Sequence, residues 1–151
     1  VIAFFLAQEG AELAQKARDD LLVPNFLPDT DGDYIATPWL DFTDSSSPFA
    51  DCFTSDGCAL EINNAGAVQM IEECSGITDC VLYANASGGR TYYTHDPAGG
   101  ANPPTPYSRV VRLQQNGNEV AVTSTVFWRT GAQRQAQEVQ VQTYLYHVYA
   151  N

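Results

Sequence analysis

The chain has 151 residues, of which 44% are hydrophobic and 11% aromatic, enough for one domain with one core. Eighteen acidic residues against seven basic ones leave a net charge of -11. That charge repels phosphate backbones and anionic lipid surfaces, so nucleic acid is not expected as a partner.

Residues 1–22 read as a helix. Phe5, Leu6, Leu13, Leu21 and Leu22 give a partial apolar stripe, and Ala3, Ala7, Ala11, Ala14 and Ala17 add helix propensity and narrow surfaces for close packing. Glu12 and Lys16 are placed to pair at i, i+4. Gly10 stands in mid-helix, where it costs about 1 kcal/mol against Ala. Residue 23 precedes Pro24, so helical geometry is disfavoured there. The opening VIAFFLA is seven apolar residues, where a spanning helix needs about twenty.

From 23 to 60 the character changes: Pro24, Pro28, Pro38 and Pro48 interrupt a stretch predicted as loop, with one short strand around Tyr34 to Trp39. Within it, DTDGDY places Asp29, Asp31 and Asp33 alternately about Gly32. Hard cations take about six to eight oxygens from such flexible loops, which makes calcium the candidate ligand and the candidate cofactor of the chain. The EF-hand pattern is not met, because Gly32 comes too early and Leu40 stands where the twelfth-position Glu belongs. An Asp/Gly surface turn is the competing reading.

Four cysteines stand at 52, 58, 74 and 80, with no CxxC pair. An even count fits an oxidising compartment, although four free thiols would have the same spacing. Of three connectivities, Cys52–Cys58 with Cys74–Cys80 is favoured, each bridge closing a short loop. Residues 59–73 read as a short strand followed by a turn. Residues 81–95 read as a hairpin, VLYAN and RTYYTH about a turn at ASGG, with the sequon Asn85-Ala86-Ser87 at its tip. Residues 96–106 form a Pro/Gly loop.

The last third is predicted as a three-strand antiparallel meander. Strands 107–115 and 119–130 join through a type I′ turn at Asn116-Gly117, and GAQRQ leads to a strand over 136–149. Val120, Val122, Val126 and Trp128 share one face by alternation, as do Val139, Val141 and Leu145. One amphipathic helix and one half-apolar sheet are expected to bury each other. His95 and His147 sit in no metal spacing and read as structural or surface residues. No nucleophile elbow, P-loop or HExxH motif is present, so the chain is not expected to be an enzyme. The aromatic clusters at 34–42, 90–95 and 143–149 read first as core or sheet cover, and second as binding surface.

LAQEGAELAQKARDD at 6–20, followed in the last third by TPYSRVVRL, EVAVTSTVFW and EVQVQTYLY, resembles the type IV pilin or pseudopilin family, in particular its minor prepilins. The resemblance covers roughly residues 3–22 and 105–147, and the middle, 23–104, would be the variable region. It implies an α+β fold, a long N-terminal helix packed on a four-stranded antiparallel sheet. The implied organisation is a single domain over 1–151: helix 1–22, a variable loop region and hairpin over 23–104, and sheet over 105–149.

The resemblance further implies a subunit made with a leader and processed by a prepilin peptidase. An apolar half-helix would hold it in the inner membrane before assembly, and then pack among other pilin subunits in a helical filament outside the cell. The leader, processing site, early glutamate and apolar half-helix are not in this sequence, so none of their residues is carried over, and VIAFF reads as the stub of that half-helix. Without it the chain is not expected to polymerise by itself. Phe4, Phe5, Leu6 and Leu13 are the implied assembly surface. The implied function is that of a structural subunit of a pilus or pseudopilus, a minor pilin. The alternative is an adhesin or ligand-binding module at a filament tip, dependent on calcium.

Overall fold

The computed structural model describes residues 2–22, 38–76, 78–129, 131–132 and 135–147. The first element is helix α1, Ile2–Leu22, and the second is the short helix α2, Pro38–Thr43. Seven strands follow: β1 (Cys58–Ile62), β2 (Val68–Glu73), β3 (Val81–Ser87), β4 (Arg90–Thr94), β5 (Pro104–Asn116), β6 (Glu119–Trp128) and β7 (Gln137–Tyr146).

All seven strands belong to one antiparallel sheet. The four-stranded sheet implied by the pilin resemblance is therefore incorrect: the sheet is larger because the hairpin expected over 81–95 joins it and residues 59–73 add a second hairpin. Residues 59–73 are not a strand and a turn but two paired strands, with Ile62 opposite Val68. The Trp39 end of the strand expected over 34–39 lies in α2, and the rest of that stretch lies outside the described residues. Strand β5 begins at Pro104, inside the expected Pro/Gly loop, at an edge position where a missing N–H is tolerated.

Long strand β5 organises the sheet. One of its sides carries β6, in unbroken register from Tyr107↔Trp128 to Asn116↔Glu119, and β7 follows outside β6 over ten pairs. The other side is shared. Its first half takes β3 through Val81↔Ser108 and Tyr83↔Pro104, and its second half takes β1 through Cys58↔Val111. The sheet thus forks into two hairpins, β1–β2 and β3–β4.

The turns differ from expectation in an instructive way. The β5–β6 loop is Gly117-Asn118, and only Gly117 has positive φ, so it lacks the two left-handed residues of a type I′ turn and has the glycine-first pattern of type II′. Two left-handed residues occur instead at Gly88-Gly89, φ 60° and 79°, closing β3–β4. The strands run right up to that pair, so the sequon lies on β3, with Asn85 opposite Tyr92, rather than at the tip.

Helix α1 crosses the fork and the meander on one face. Its buried residues are Ala3, Leu6, Ala7, Gly10, Ala11, Leu13, Ala14, Ala17 and Leu22, a stripe at three- and four-residue spacing built mainly from small side chains. Phe5 is 62% exposed and does not belong to it. The helix's first two turns, through Ala3, Leu6 and Ala7, pack on Leu82 and Val126. Its later turns join a larger cluster with Phe42, Phe49, Leu60, Val111, Val120, Val122 and Leu145. Lys16 pairs with Asp20 at 3.0 Å rather than with Glu12.

The small stripe lets the helix come close to the sheet, and Gly10 is where it comes closest. A Cβ built there would lie 2.2 Å from Ser124 Oγ and 3.0 Å from Arg109 Cδ. The meander also has a second apolar patch. Val110, on the reverse face, packs with Ala59, Cys74 and Cys80, and Phe127 covers part of it.

Candidate functional site

Where the sheet forks, β1 and β4 diverge beneath α1 and leave a cleft of about 340 Å³. Its lining includes Glu9 from the helix, Glu61 and Ile62 from β1, Tyr92 and Tyr93 from β4, and Arg109 from β5. Strand alternation places Arg109 on the helix-facing side with Val111 and Leu113, so a guanidinium must be accommodated inside the core.

Its hydrogen bonds explain how. Arg109 is 2% exposed. Its Nη1 donates to the Leu6 carbonyl at 3.2 Å and to Glu9 Oε1 at 2.8 Å, and its Nη2 donates to the Leu60 carbonyl at 3.3 Å. One side chain therefore ties helix, fork and meander together, and the Glu9 carboxylate, itself half-exposed, offsets the buried charge. Glu61 is held from the other wall by the Thr94 hydroxyl. Both carboxylates are thus oriented by fixed donors while retaining further acceptor capacity. Two half-exposed side chains with apolar surface also line the cleft, Ile62 of β1 at 47% and Tyr92 of β4 at 53%.

His95 follows β4 and is buried. Its Nδ1 lies 3.2 Å from the Val81 carbonyl, which can only accept, so the proton of the neutral ring sits on Nδ1. Burial, aided by the nearby positive Arg109, pushes its pKa down to about 3. His147 stacks on Trp39 with ring centroids 5.1 Å apart and planes 3° apart, joining α2 to the end of β7.

Cys52 is bonded to Cys58 and Cys74 to Cys80, leaving no free cysteine. Of the implied assembly residues, Phe4 and Phe5 are exposed at the start of α1, whereas Leu6 and Leu13 are buried against the chain's own sheet. Their neighbour Ile2 is exposed as well. Asp29, Asp31 and Asp33, the candidate calcium ligands, lie outside the described residues. Among the described residues no group of His, Cys, Asp or Glu side chains is arranged to hold a metal, and no helix is long and apolar enough to cross a membrane.

The cleft residues escaped sequence reading because they are far apart in the chain: Glu9 and Arg109 meet only through the fold. One signal was present. In YSRVVRL, Arg109 has the same parity as Val111 and Leu113, so a charge on the core face could have been flagged as needing a partner. Compared with protein families, with curated proteins and with solved structures, the chain matches none.

Proposed function

We propose that the chain is a structural subunit of an extracellular filament of the type IV pilus or pseudopilus kind, assembling through the N-terminal end of α1. The supporting observation is the division of that helix. Its small-residue stripe is buried on the sheet, yet Ile2, Phe4 and Phe5 are 49%, 49% and 62% exposed at one end. The outward positions further along are polar, among them Gln8, Glu9 and Glu12. A cluster of three large apolar side chains at one helix end is the kind of surface that marks contact with other helices or with lipid. The wider sheet would make this head broader than a four-stranded one without altering how the helix is presented.

The two disulfides fit maturation in an oxidising compartment, as a secreted subunit requires. Expressed from its native gene in its native host, the protein should be recovered in sheared surface filaments. Phe4→Glu together with Phe5→Glu should remove it from filaments without unfolding the head. Absence of the native protein from both the filament and membrane fractions would refute the reading. The cleft at the fork favours a second reading, in which the exposed head also binds a ligand, as an adhesin at a filament tip does.

A further inference from the structure

We infer that the cleft between β1, β4 and α1 is a binding site for a neutral, hydroxyl-rich ring, that is, a saccharide residue. This deepens the second reading above and does not depend on assembly into filaments. Three features of the cleft select that chemistry. The first is size. At about 340 Å³ it lies at the small end of the range for small-molecule sites, suited to one or two sugar rings rather than a folded partner.

The second is the donor and acceptor inventory. Glu9 and Glu61 are acceptors, each fixed by a donor from the protein, Arg109 and Thr94 respectively. Their remaining lone pairs call for O–H or N–H donors from a ligand. An anion is disfavoured by both carboxylates and by the net charge of -11. A cation meets Arg109, whose guanidinium stands 2.8 Å from Glu9 and already neutralises that carboxylate. Neutral hydroxyls satisfy the acceptors without either penalty.

The third is the apolar lining. A pyranose has one face of C–H groups and an equator of hydroxyls. Tyr92 of β4 and Ile62 of β1 offer half-exposed apolar surface for the first, and the carboxylates receive the second. Tyr92 and Tyr93 also carry phenolic hydroxyls able to donate or accept.

The test is an amide chemical-shift titration of the isolated chain with six neutral monosaccharides: glucose, galactose, mannose, fucose, N-acetylglucosamine and N-acetylgalactosamine. Lysine amide serves as the cationic comparison. The expected result is saturable shifts at Ile62, Thr91, Tyr92 and Tyr93 with at least one sugar, with a dissociation constant in roughly the millimolar range for a single ring. Tyr92→Ala and Glu61→Gln, each checked for an unchanged amide spectrum elsewhere, should each weaken binding at least tenfold. No shift at these residues with any of the six sugars overturns the proposal. So do shifts with lysine amide alone, which would make the cleft a cation site, and so does sugar binding that survives Tyr92→Ala. Because binding is read in solution and assembly on cells, failure of one leaves the other standing.

Discussion

Replacing Gly10 by Ala sets two effects of opposite sign against each other. In an exposed helix interior the change would stabilise the protein by about 1 kcal/mol, through reduced chain entropy in the unfolded state and better helix propensity. Here the new methyl would stand 2.2 Å from Ser124 Oγ, 3.0 Å from Arg109 Cδ and 3.2 Å from Ser124 Cβ. The Ser124 hydroxyl has no hydrogen-bond partner among the described residues and can rotate away, but its Cβ cannot. Arg109 is pinned by Leu6, Glu9 and Leu60. Overpacking of this kind costs about 1–3 kcal/mol. With the propensity gain of about 1 kcal/mol subtracted, we expect a net loss of up to about 2 kcal/mol, a fall in Tm of up to roughly 8 °C for a chain of this size.

Urea and thermal unfolding followed by circular dichroism would measure this, in a cycle with Ser124→Ala. That second change removes a buried, unpartnered hydroxyl and by itself should be neutral or slightly stabilising. In its background the cost of Gly10→Ala should fall by at least about 0.5 kcal/mol, the coupling expected of touching residues. A Gly10→Ala protein more stable than the parent by the full propensity gain, or a cycle with no coupling, would refute the close approach of helix and sheet.

Three further outcomes follow from the same core. The pKa of His95 lies far below its unfolded value of about 6.5, so the unfolded chain binds the extra proton first as pH falls. Stability should therefore drop between about pH 6.5 and 3, by up to about 1.4 kcal/mol per pH unit from this residue, and His95→Gln should flatten that limb in urea midpoints. Arg109→Ala should cost about 3 kcal/mol or more, since it empties a fully buried position between helix and sheet and breaks the hydrogen bonds to Leu6, Glu9 and Leu60. Glu9→Gln keeps an acceptor for Nη1 but removes the charge that offsets the buried guanidinium, so it should cost measurably less than Arg109→Ala, and a loss equal to or larger than that of Arg109→Ala would contradict the burial asymmetry. Replacing Cys74 and Cys80 together by Ala should remove roughly 2 kcal/mol, the chain-entropy value for so short a loop, measurable as a lower urea midpoint at unchanged slope.

The elements with a clear period were legible before any coordinates. Helix α1 and the β5–β7 meander appear within a few residues of where their patterns place them. Their mutual burial follows from two amphipathic surfaces in one small chain. Illegible were elements whose partners are remote. VQMIEE at 68–73 carries too little alternation to announce a strand, and takes that form because Leu60 and Ile62 of β1 are there to pair with it. Trp39 looked like strand material by propensity, yet its ring is placed by His147 from the far end of the chain and by Phe42 one turn along α2. Gly10 read as a local cost, and its reason, Ser124, lies more than a hundred residues away. The cleft was hidden for the same reason, since each of its walls comes from a different part of the chain.

The β1–β2 hairpin is pegged at both feet: Cys58 opens it and is bridged to Cys52, and Cys74, just past its end, is bridged to Cys80. Its far end, Asn63 to Ala67, carries none of that anchorage and, among the described residues, is closed by its own backbone and the Asn63 side chain. Lengthening it would add loop entropy, about 0.6 kcal/mol per doubling, while the covalent feet keep β1 against β5. The scaffold therefore leaves room to redraw one wall's outer rim without moving the ground on which the helix rests.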